Sequence, residues 1–220
     1  MEIRTNTLAE AHILTCAAIY EDCIEVVTED NEVTFECPEP ILVIVEDPLN
    51  EDMVSPLCGF GIKALEQYTI DLIYGRADDM DFVYTYHDRL FGYYYDGRVL
   101  NQIDALVDKL REYPNSRRAQ AITWYPNIDL RSKEPPCLQR IQCLIRNGRL
   151  NMSVDFRSND CLSAMGQNMY ALVRLQEVIA RHLDIPVGTY THYITCPHLY
   201  FKRDAEELNT LRQLICRRNL

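Results

Sequence analysis

A cysteine and an arginine twenty residues apart are the side chains of this sequence best suited to covalent chemistry. Cys137 follows two prolines, and Arg157 opens an Arg-Ser-Asn-Asp cluster. Between them, Asn147-Gly148 is a strong hairpin signal, because a type I′ turn needs positive φ at both central residues. Such a hairpin would bring Cys137 and Arg157 together at its open end. A thiol beside a guanidinium can have a lowered pKa and act as a nucleophile, so we expect a reactive site there.

The alternation of side chains on the two arms of this hairpin predicts which residues share a face of the sheet. On the first arm, one face would carry Cys137, Gln139, Ile141, Cys143 and Ile145. On the returning arm, one face would carry Leu150, Met152, Val154 and Phe156.

Four short motifs follow one another in the order, and near the spacing, of a known family. They are Asn115-Ser116-Arg117-Arg118, Pro136-Cys137, Arg157-Ser158-Asn159-Asp160 with Asn168, and Pro197-His198-Leu199-Tyr200. Each motif alone is weak, but together they make the stretch from about Phe82 to Tyr200 resemble thymidylate synthase. The resemblance implies an α+β fold with helices packed on a mixed β-sheet, in a single domain over residues 1–220.

The resemblance also implies a reaction, the methylation of dUMP to dTMP by a methylene-carrying reduced pterin. That cofactor would be methylenetetrahydrofolate or a methanopterin-type analogue. C5 of uracil is a poor nucleophile, but a thiolate that adds to C6 turns C4–O4 into an enolate and makes C5 carbanion-like. C5 can then attack a one-carbon unit. The catalytic thiolate that the resemblance implies is Cys137.

Eight further residues are implied as contacts to the nucleotide. They are Arg117, Arg118, Arg157, Ser158, Asp160, Asn168, His198 and Tyr200.

The amide of Asn168 is the most diagnostic of these groups. It offers both a donor and an acceptor, which matches the O4 and N3–H edge of uracil, whereas cytosine presents the reverse. Arg157 can hold the phosphate in a bidentate fork and favour the Cys137 thiolate. Ser158 would supply a hydroxyl to the same phosphate.

The other implied contacts have ordinary structural alternatives. Asp160 would orient backbone amides near the base, or it would serve as the N-cap of a helix. His198 and Tyr200 would bond a ribose hydroxyl, a role that rests on the resemblance alone. Arg117 and Arg118 would bind the phosphate of a neighbouring subunit, and without the resemblance they would be surface charge.

Several positions depart from the family pattern. The helix predicted to end at Gly75 carries Tyr68 where the family has a glutamate, and Glu66 would replace that carboxylate only if the helix were locally offset. Otherwise Glu66 is a solvated residue. Leu138 stands where a histidine commonly follows the cysteine, and Phe156 stands where a glutamine usually precedes the arginine. These departures are typical of a divergent branch similar to the short archaeal enzymes. The family usually continues past the last predicted helix with a tail that closes over the pterin, so we expect a different closure here.

Two other functions stay open. One is a pyrimidine-nucleotide hydroxymethylase of the same fold, in which an aspartate replaces the asparagine, so Asn168 disfavours it. The other is a nucleotide-binding homologue without catalysis. Cys137 disfavours that alternative, because binding alone does not need a thiol.

Local patterns predict the elements that must position these residues. Thr7 and Glu10 form a capping box at the start of a helix to about Tyr20. The other predicted helices are Gly61 to Tyr74, Val99 to Glu112, Met169 to Leu183 and Asp204 to Arg217. The predicted strands outside the hairpin are Ile24 to Thr28, Val33 to Glu36, Ile41 to Val45 (buried on both faces), Ala119 to Trp124 and Thr189 to Thr195.

The tyrosine-rich segment from Asp81 to Tyr95 is typical of packing or an interface rather than of chemistry. Within it, Val83-Tyr84 and Arg89 are the nearest matches to family residues that border the nucleotide and pterin pocket.

Composition limits the class of partner. The net charge of −11 disfavours nucleic acid and an anionic membrane. Nine scattered cysteines show no metal-ligand spacing and fit a reducing cytoplasm. The sequence shows neither a signal peptide nor a membrane span. The resemblance implies a homodimer with a shared active site.

Overall fold

The computed structural model describes residues 1–50, 53–76 and 84–218. In those ranges the helices are α1 Leu8–Glu21, α2 Gly61–Tyr74, α3 Tyr86–Phe91, α4 Gln102–Glu112, α5 Pro126–Asp129, α6 Met165–His182 and α7 Ala205–Arg218. The strands are β1 Glu2–Thr5, β2 Ile24–Val27, β3 Val33–Glu36, β4 Ile41–Val45, β5 Tyr93–Tyr95, β6 Arg98–Leu100, β7 Gln120–Ile122, β8 Leu138–Arg146, β9 Arg149–Phe156, β10 Asn159–Asp160, β11 Val187–Ile194 and β12 Pro197–Leu199.

The main sheet has six strands in the order β1-β4-β11-β9-β8-β7. It is mixed, because β1 pairs parallel to β4 and β11 parallel to β9, while the other neighbours are antiparallel. Helices α1 and α6 pack against its strands, and α2 packs on α6. The predicted α+β fold, with helices on a mixed sheet, is confirmed. That residues 1–220 form a single domain stays a prediction.

The hairpin of β8 and β9 forms as its turn chemistry predicts. Asn147 and Gly148 have φ of 51° and 71°, the positive values that a type I′ turn requires. The predicted inner face of β9 is confirmed, since its four members are at most 1% exposed: Leu150, Met152, Val154 and Phe156.

The predicted face of β8 is wrong at its first residues. The register shifts between Leu138 and Arg140, so Leu138 rather than Gln139 is buried beside Ile141 and Cys143. A bulge of this kind inserts one residue and reverses the alternation before it. Cys137 therefore does not continue the inner face of the strand and is half-buried at its end.

Two helices begin elsewhere than predicted. Helix α4 begins at Gln102, because the Asn101 side chain accepts hydrogen bonds from the Ile103 and Asp104 amides and caps it. Val99 and Leu100 instead belong to β6, which pairs with β5 in a two-stranded sheet. Helix α6 begins at Met165, four residues early.

The remaining predicted elements are confirmed to within one or two residues, apart from the Ala119 to Trp124 strand, which is shorter as β7. The Thr7 cap on α1 is also confirmed, since its side chain accepts from the Glu10 amide. Strand β4 is buried on one face and only half-buried on the other, so the prediction of burial on both faces is wrong. The structure adds β1, β5, β6, β10, β12, α3 and α5, which the sequence patterns did not predict. Within the described ranges, no helix is long and apolar enough to cross a membrane.

A four-stranded sheet in the order β10-β12-β3-β2 stands beside the main sheet. It matters to the site because β10 carries Asp160 and β12 carries His198, and the two residues are register partners. The acidic tip between β2 and β3, made of Thr28, Glu29, Asp30 and Glu32, also faces the cavity described next.

Candidate active site

A cavity with a volume of about 640 Å³ opens beside the end of the β8–β9 hairpin. Seven of the nine residues that the sequence analysis singled out line it: Cys137, Arg157, Ser158, Asp160, Asn168, His198 and Tyr200. Pockets for small molecules usually have volumes of about 300–1,000 Å³. The hairpin, the second small sheet and the first turn of α6 thus bring together residues that lie up to 63 positions apart in the sequence, from Cys137 to Tyr200.

Cys137 and Arg157 meet at the open end of the hairpin. The Arg157 amide donates a hydrogen bond to the Cys137 carbonyl at 2.9 Å, which pairs the two residues across the strands. The guanidinium donates from Nε to the Pro136 carbonyl at 3.0 Å and from Nη2 to the Pro135 carbonyl at 2.7 Å. Nη2 also lies 3.7 Å from the Cys137 Sγ. The two carbonyls therefore hold the cation against the thiol and leave Nη1 without a hydrogen bond among the described residues.

The pKa of the Cys137 thiol moves opposite to the sequence-based expectation. Burial raises this pKa above its ordinary value, and the Arg157 charge and a hydrogen bond with Ser158 oppose the increase without cancelling it. The expected lowered pKa is therefore wrong for the protein as it stands. The hairpin signal showed the neighbouring cation, but the desolvation comes from elements distant in sequence.

Asn168 lies in the first turn of α6 and is 8% exposed. Its backbone N–H donates a hydrogen bond to the Ala164 carbonyl at 3.0 Å, so the backbone is fixed within the helix. Its side-chain Oδ1 accepts a hydrogen bond from the Tyr68 hydroxyl at 2.9 Å. This contact joins α2 to α6 across one hundred positions of sequence.

Helix α2 presents Tyr68, not Glu66, to the cavity. Glu66 is exposed and is not among the described residues that line the cavity, so the hypothesis that it substitutes for the family carboxylate is wrong. Burial raises the pKa of the Tyr68 phenol well above its usual range, which keeps the hydroxyl neutral. Asp71, one turn further on, also lines the cavity and pairs with Arg76 at 3.8 Å.

Two tyrosines of the segment before β5 also line the cavity, although the segment was interpreted as packing or interface. Tyr84 and Tyr86 have ring centroids 5.8 Å apart. The Tyr86 hydroxyl accepts a hydrogen bond from the Leu138 amide at 3.1 Å, directly after Cys137. Tyr86 also packs against the hydrophobic core, as that interpretation predicted, and Tyr84 borders the cavity, as its match to the family pocket residues implied. Tyr93 to Tyr95 form β5, away from the cavity.

Arg89 does not border the cavity in the described part of the chain. Its guanidinium is buried and forks onto the Asp129 carboxylate at 2.8 and 3.0 Å. It also lies 4.0 Å from the centre of the Tyr125 ring. The matching expectation for Val83 lies outside the described residues.

Asp160 caps the turn before α6. Its Oδ1 accepts from the Ser163 amide at 3.3 Å and its Oδ2 from the Ser163 hydroxyl at 2.8 Å. The helix itself begins after Ala164, so the proposal that Asp160 is the N-cap is wrong by one turn. Oδ2 also accepts from Arg203, a cavity residue that the motifs did not indicate. Only its position three residues after Tyr200 hinted at it.

His198 and Tyr200 stand side by side on the cavity wall. The His198 Nδ1 donates to the Cys196 carbonyl at 3.2 Å, which leaves Nε2 as the acceptor of the neutral ring. The Tyr200 ring meets the His198 ring edge to face at 5.2 Å, and the Arg203 guanidinium lies 4.0 Å from its centre.

Arg117 and Arg118 lie elsewhere. Both are exposed in the connection between α4 and β7, and neither lines the cavity. The Arg118 amide donates to the Ser116 hydroxyl, and the Arg117 carbonyl accepts from the Gln142 side chain, so the backbone of this turn is fixed. Their predicted role at the phosphate of another subunit stays a prediction. Over the ranges that the structure covers, no three His, Cys, Asp or Glu side chains cluster as metal ligands would.

Comparison with known proteins gives the same family as the motifs. The family profile described as thymidylate synthase matches residues 57–219. A protein of Methanocaldococcus jannaschii named "Putative thymidylate synthase" is 41% identical over 209 residues, which cover 93% of this chain and 92% of that protein. Proteins with the same name from Methanosarcina barkeri and Methanococcoides burtonii are 36% and 34% identical over 160 residues, which cover 73% of this chain and 71% of each of them. The profile and these archaeal relatives, which together span most of the sequence, agree with the site geometry: the chain belongs to the thymidylate synthase family.

Proposed function

We propose that this protein is an enzyme that methylates dUMP to dTMP, with a methylene-carrying reduced pterin as the one-carbon donor. One observation carries the proposal. The Cys137 Sγ lies 3.7 Å from the Arg157 guanidinium, in a cavity that Asn168 also lines. A nucleotide-binding protein without catalysis needs the cation and the amide, but not a thiol beside the cation.

The first chemical step belongs to Cys137. Its thiolate adds to C6 of the uracil, a new S–C6 bond forms, and the C5–C6 π electrons move onto C5 and through C4 to O4 as an enolate. Arg157 favours this step because its charge opposes the increase in the thiol pKa that burial causes. Elimination at the end of the reaction breaks the S–C6 bond, restores the C5–C6 double bond and returns the electron pair to sulfur.

Asn168 selects the base and stabilises the enolate. Its Nδ2 would donate to O4, where negative charge develops, and its Oδ1 would accept from N3–H. Cytosine presents an amino group at C4 and an unprotonated N3, so the same amide would oppose it. This donor and acceptor pair favours dUMP over the substrate of a pyrimidine-nucleotide hydroxymethylase.

The phosphate site is built on Arg157 and Ser158. Nη1 of Arg157 is not engaged with another described residue, so it can donate to a phosphate oxygen while Nε and Nη2 stay on the proline carbonyls. His198 and Tyr200 would bond the ribose hydroxyl, and Asp160 would order the turn that leads into α6. Arg117 and Arg118 are exposed and do not line the cavity of their own chain, so we place them at the phosphate of a partner subunit in a homodimer.

We place the pterin in the same cavity of about 640 Å³, against Leu72, Tyr84, Tyr86 and His87, which also line it. Aromatic and apolar side chains of this kind suit a flat heterocycle. When bound there, the reduced pterin would supply the one-carbon unit and, by its own oxidation, the hydride that turns the transferred methylene into a methyl group. The family uses a folate-type donor, and the departures of this sequence leave methylenetetrahydrofolate and a methanopterin-type analogue as the two candidates.

Tritium release from dUMP labelled at C5 tests this function. With either pterin, the wild type should release tritium into water, because C5 exchanges its hydrogen for carbon. With 5-fluoro-dUMP and the same pterin, mass spectrometry should find a covalent adduct on the peptide that contains Cys137.

Cys137→Ala is the matched control. It should still bind dUMP, measured by isothermal titration calorimetry, and should show neither release nor adduct. Full release by that variant, or an adduct on another cysteine, would contradict the proposed nucleophile. Binding of dUMP by the wild type without release or adduct, with either pterin, would favour the non-catalytic alternative.

A further inference from the structure

Three half-buried tyrosines line the same cavity as the Cys137 thiol and the Asn168 amide. Tyr68, Tyr84 and Tyr86 all line it, and burial raises the pKa of each phenol. Tyr84 and Tyr86 contact each other and the backbone next to Cys137. Of these three tyrosines, only Tyr68 makes a hydrogen bond to the side chain of Asn168.

That contact is the one hydrogen bond of the Asn168 side chain in the described structure. The Tyr68 hydroxyl donates to Oδ1 over 2.9 Å and uses one of the two lone pairs of that oxygen. The other lone pair and both Nδ2 hydrogens remain for a ligand. An unheld amide can rotate by half a turn and exchange its donor for its acceptor, which would present the edge that suits cytosine.

We propose that Tyr68 is a positioning residue that holds the Asn168 amide in one orientation and thereby sets the preference of the cavity for uracil over cytosine. The inference rests on the proposed function, because it takes the pyrimidine nucleotide as the ligand. It assigns to α2 a part in specificity that no motif of the sequence carries.

The surroundings of the pair explain why a hydroxyl can do this. Asn168 is nearly enclosed and its backbone is fixed in the first turn of α6, so its side chain has few other partners. Tyr68 is held by the packing of α2 on α6. Burial raises the pKa of the Tyr68 phenol, so the hydroxyl keeps the proton that it donates to Oδ1.

A double-mutant cycle tests the inference. Affinities for dUMP and dCMP are measured by isothermal titration calorimetry on the wild type, Tyr68→Phe, Asn168→Ala and the double variant. Tyr68 acts on the ligand only through Asn168, and an amide that is no longer held in one orientation loses buried hydrogen bonds to the base, each of which contributes about tenfold to affinity. Tyr68→Phe should therefore bind dUMP about tenfold more weakly, without a matching loss for dCMP. In the Asn168→Ala background the same change should alter dUMP affinity by less than about twofold, because the two residues act as one unit.

Tyr170→Phe is the matched control. Tyr170 is a buried tyrosine two residues after Asn168 on α6, outside the cavity lining, with its ring under Arg174. It should leave the preference for dUMP over dCMP unchanged. If the alanine double variant does not fold, Asn168→Ser completes the same cycle, with thermal unfolding measured on every variant.

The outcomes separate the two proposals. Equal losses for dUMP and dCMP in Tyr68→Phe, an unchanged preference, or the same loss with and without Asn168 would overturn the positioning role alone. A wild type that does not bind dUMP at all would overturn the proposed function, and this inference with it. Loss of preference in Tyr68→Phe that disappears in the Asn168→Ala background supports both.

Discussion

Replacement of Arg157 by glutamine should make the Cys137 thiol harder to ionise. The guanidinium Nη2 lies 3.7 Å from Sγ, and it lowers a pKa that burial has already raised. A unit charge at 3.7 Å favours a thiolate by about 1 kcal/mol in bulk water and by about 4.5 kcal/mol at an effective dielectric constant of about 20. The pKa of the Cys137 thiol should therefore rise further in the variant.

The cavity is open to solvent, so we expect an effect near the lower of these two energies, which corresponds to about a tenfold change in the thiolate population. The thiolate is the reactive form, and its fraction falls tenfold for each unit that the pKa rises above the pH of the solution. Alkylation of Cys137 by iodoacetamide at pH 8 should therefore be about tenfold slower in Arg157→Gln than in the wild type. The whole curve of rate against pH should move to higher pH by the same amount.

The assay is a pH series of timed alkylations, read by mass spectrometry on the peptide that contains Cys137. Cys216 is exposed and free, so its labelling in the same digest serves as an internal reference. Arg140→Gln is the matched control, because Arg140 pairs with Asp155 on the same hairpin but does not line the cavity. It should leave the Cys137 curve unchanged. Superimposable curves for the wild type and Arg157→Gln would refute the claim that this guanidinium stabilises the thiolate.

Three other predictions follow from the same geometry. Asn168→Asp should shift the preference from dUMP toward dCMP by about ten- to hundredfold, because a mismatched buried hydrogen bond costs about 1–3 kcal/mol; equal relative affinities in calorimetry would show that Asn168 does not contact the base edge. Mixed after subunit exchange, Cys137→Ala and the double variant Arg117→Ala with Arg118→Ala should regain at most about a quarter of wild-type tritium release, since half of a random mixture is heterodimer with one intact site of two; no recovery, with exchange verified by mass spectrometry, would contradict the shared site. Ile141→Ala should lower the free energy of unfolding by about 2–5 kcal/mol in urea titrations, because Ile141 is fully buried in β8; a loss below about 1 kcal/mol would contradict its place in the core.

The parts of the site that the sequence predicted are those that local chemistry controls. The turn at Asn147 and Gly148 needs only two residues that accept positive φ, and it alone brings Cys137 and Arg157 to the same end of the hairpin. The inner face of β9 follows from strict alternation in the same way. The motif series then placed His198 and Tyr200 near them, although no local pattern would have done so.

The parts that the sequence did not predict depend on contacts between distant elements. The bulge after Leu138 cannot be read from the alternation of residue types along β8. The bond between Tyr68 and Asn168 joins helices one hundred residues apart, and Arg203 reaches Asp160 from beyond β12. Burial of the thiol, which raises its pKa, is likewise the sum of several elements and not a property of its neighbours in the chain.

The charge around the cavity poses a problem that the fold of one chain does not solve. The protein carries a net charge of −11, and the acidic tip between β2 and β3 lines the cavity. A nucleotide phosphate bears up to two negative charges, so it needs cations within a few ångströms. Of the arginines that line the described cavity, Arg203 is held by two carboxylates, Asp160 and Asp204. Arg76 pairs with Asp71.

Arg157 is then the cation whose side chain retains a donor for the phosphate, with exposed Lys133 at the cavity wall. One guanidinium that must also favour a thiolate can bind a dianionic phosphate only weakly beside an acidic tip. Arg117 and Arg118 do not contribute to the cavity of their own chain. They are exposed on a fixed turn outside it. If they enter a partner's site, the phosphate gains two cations and Arg157 is left to serve the thiol. This distribution of charge gives the shared site a physical reason that is independent of the motifs. It predicts that replacing both arginines by alanine weakens dUMP binding more at low ionic strength than at high, whereas the effect of Tyr68→Phe changes little with salt, because only the charge contacts are screened.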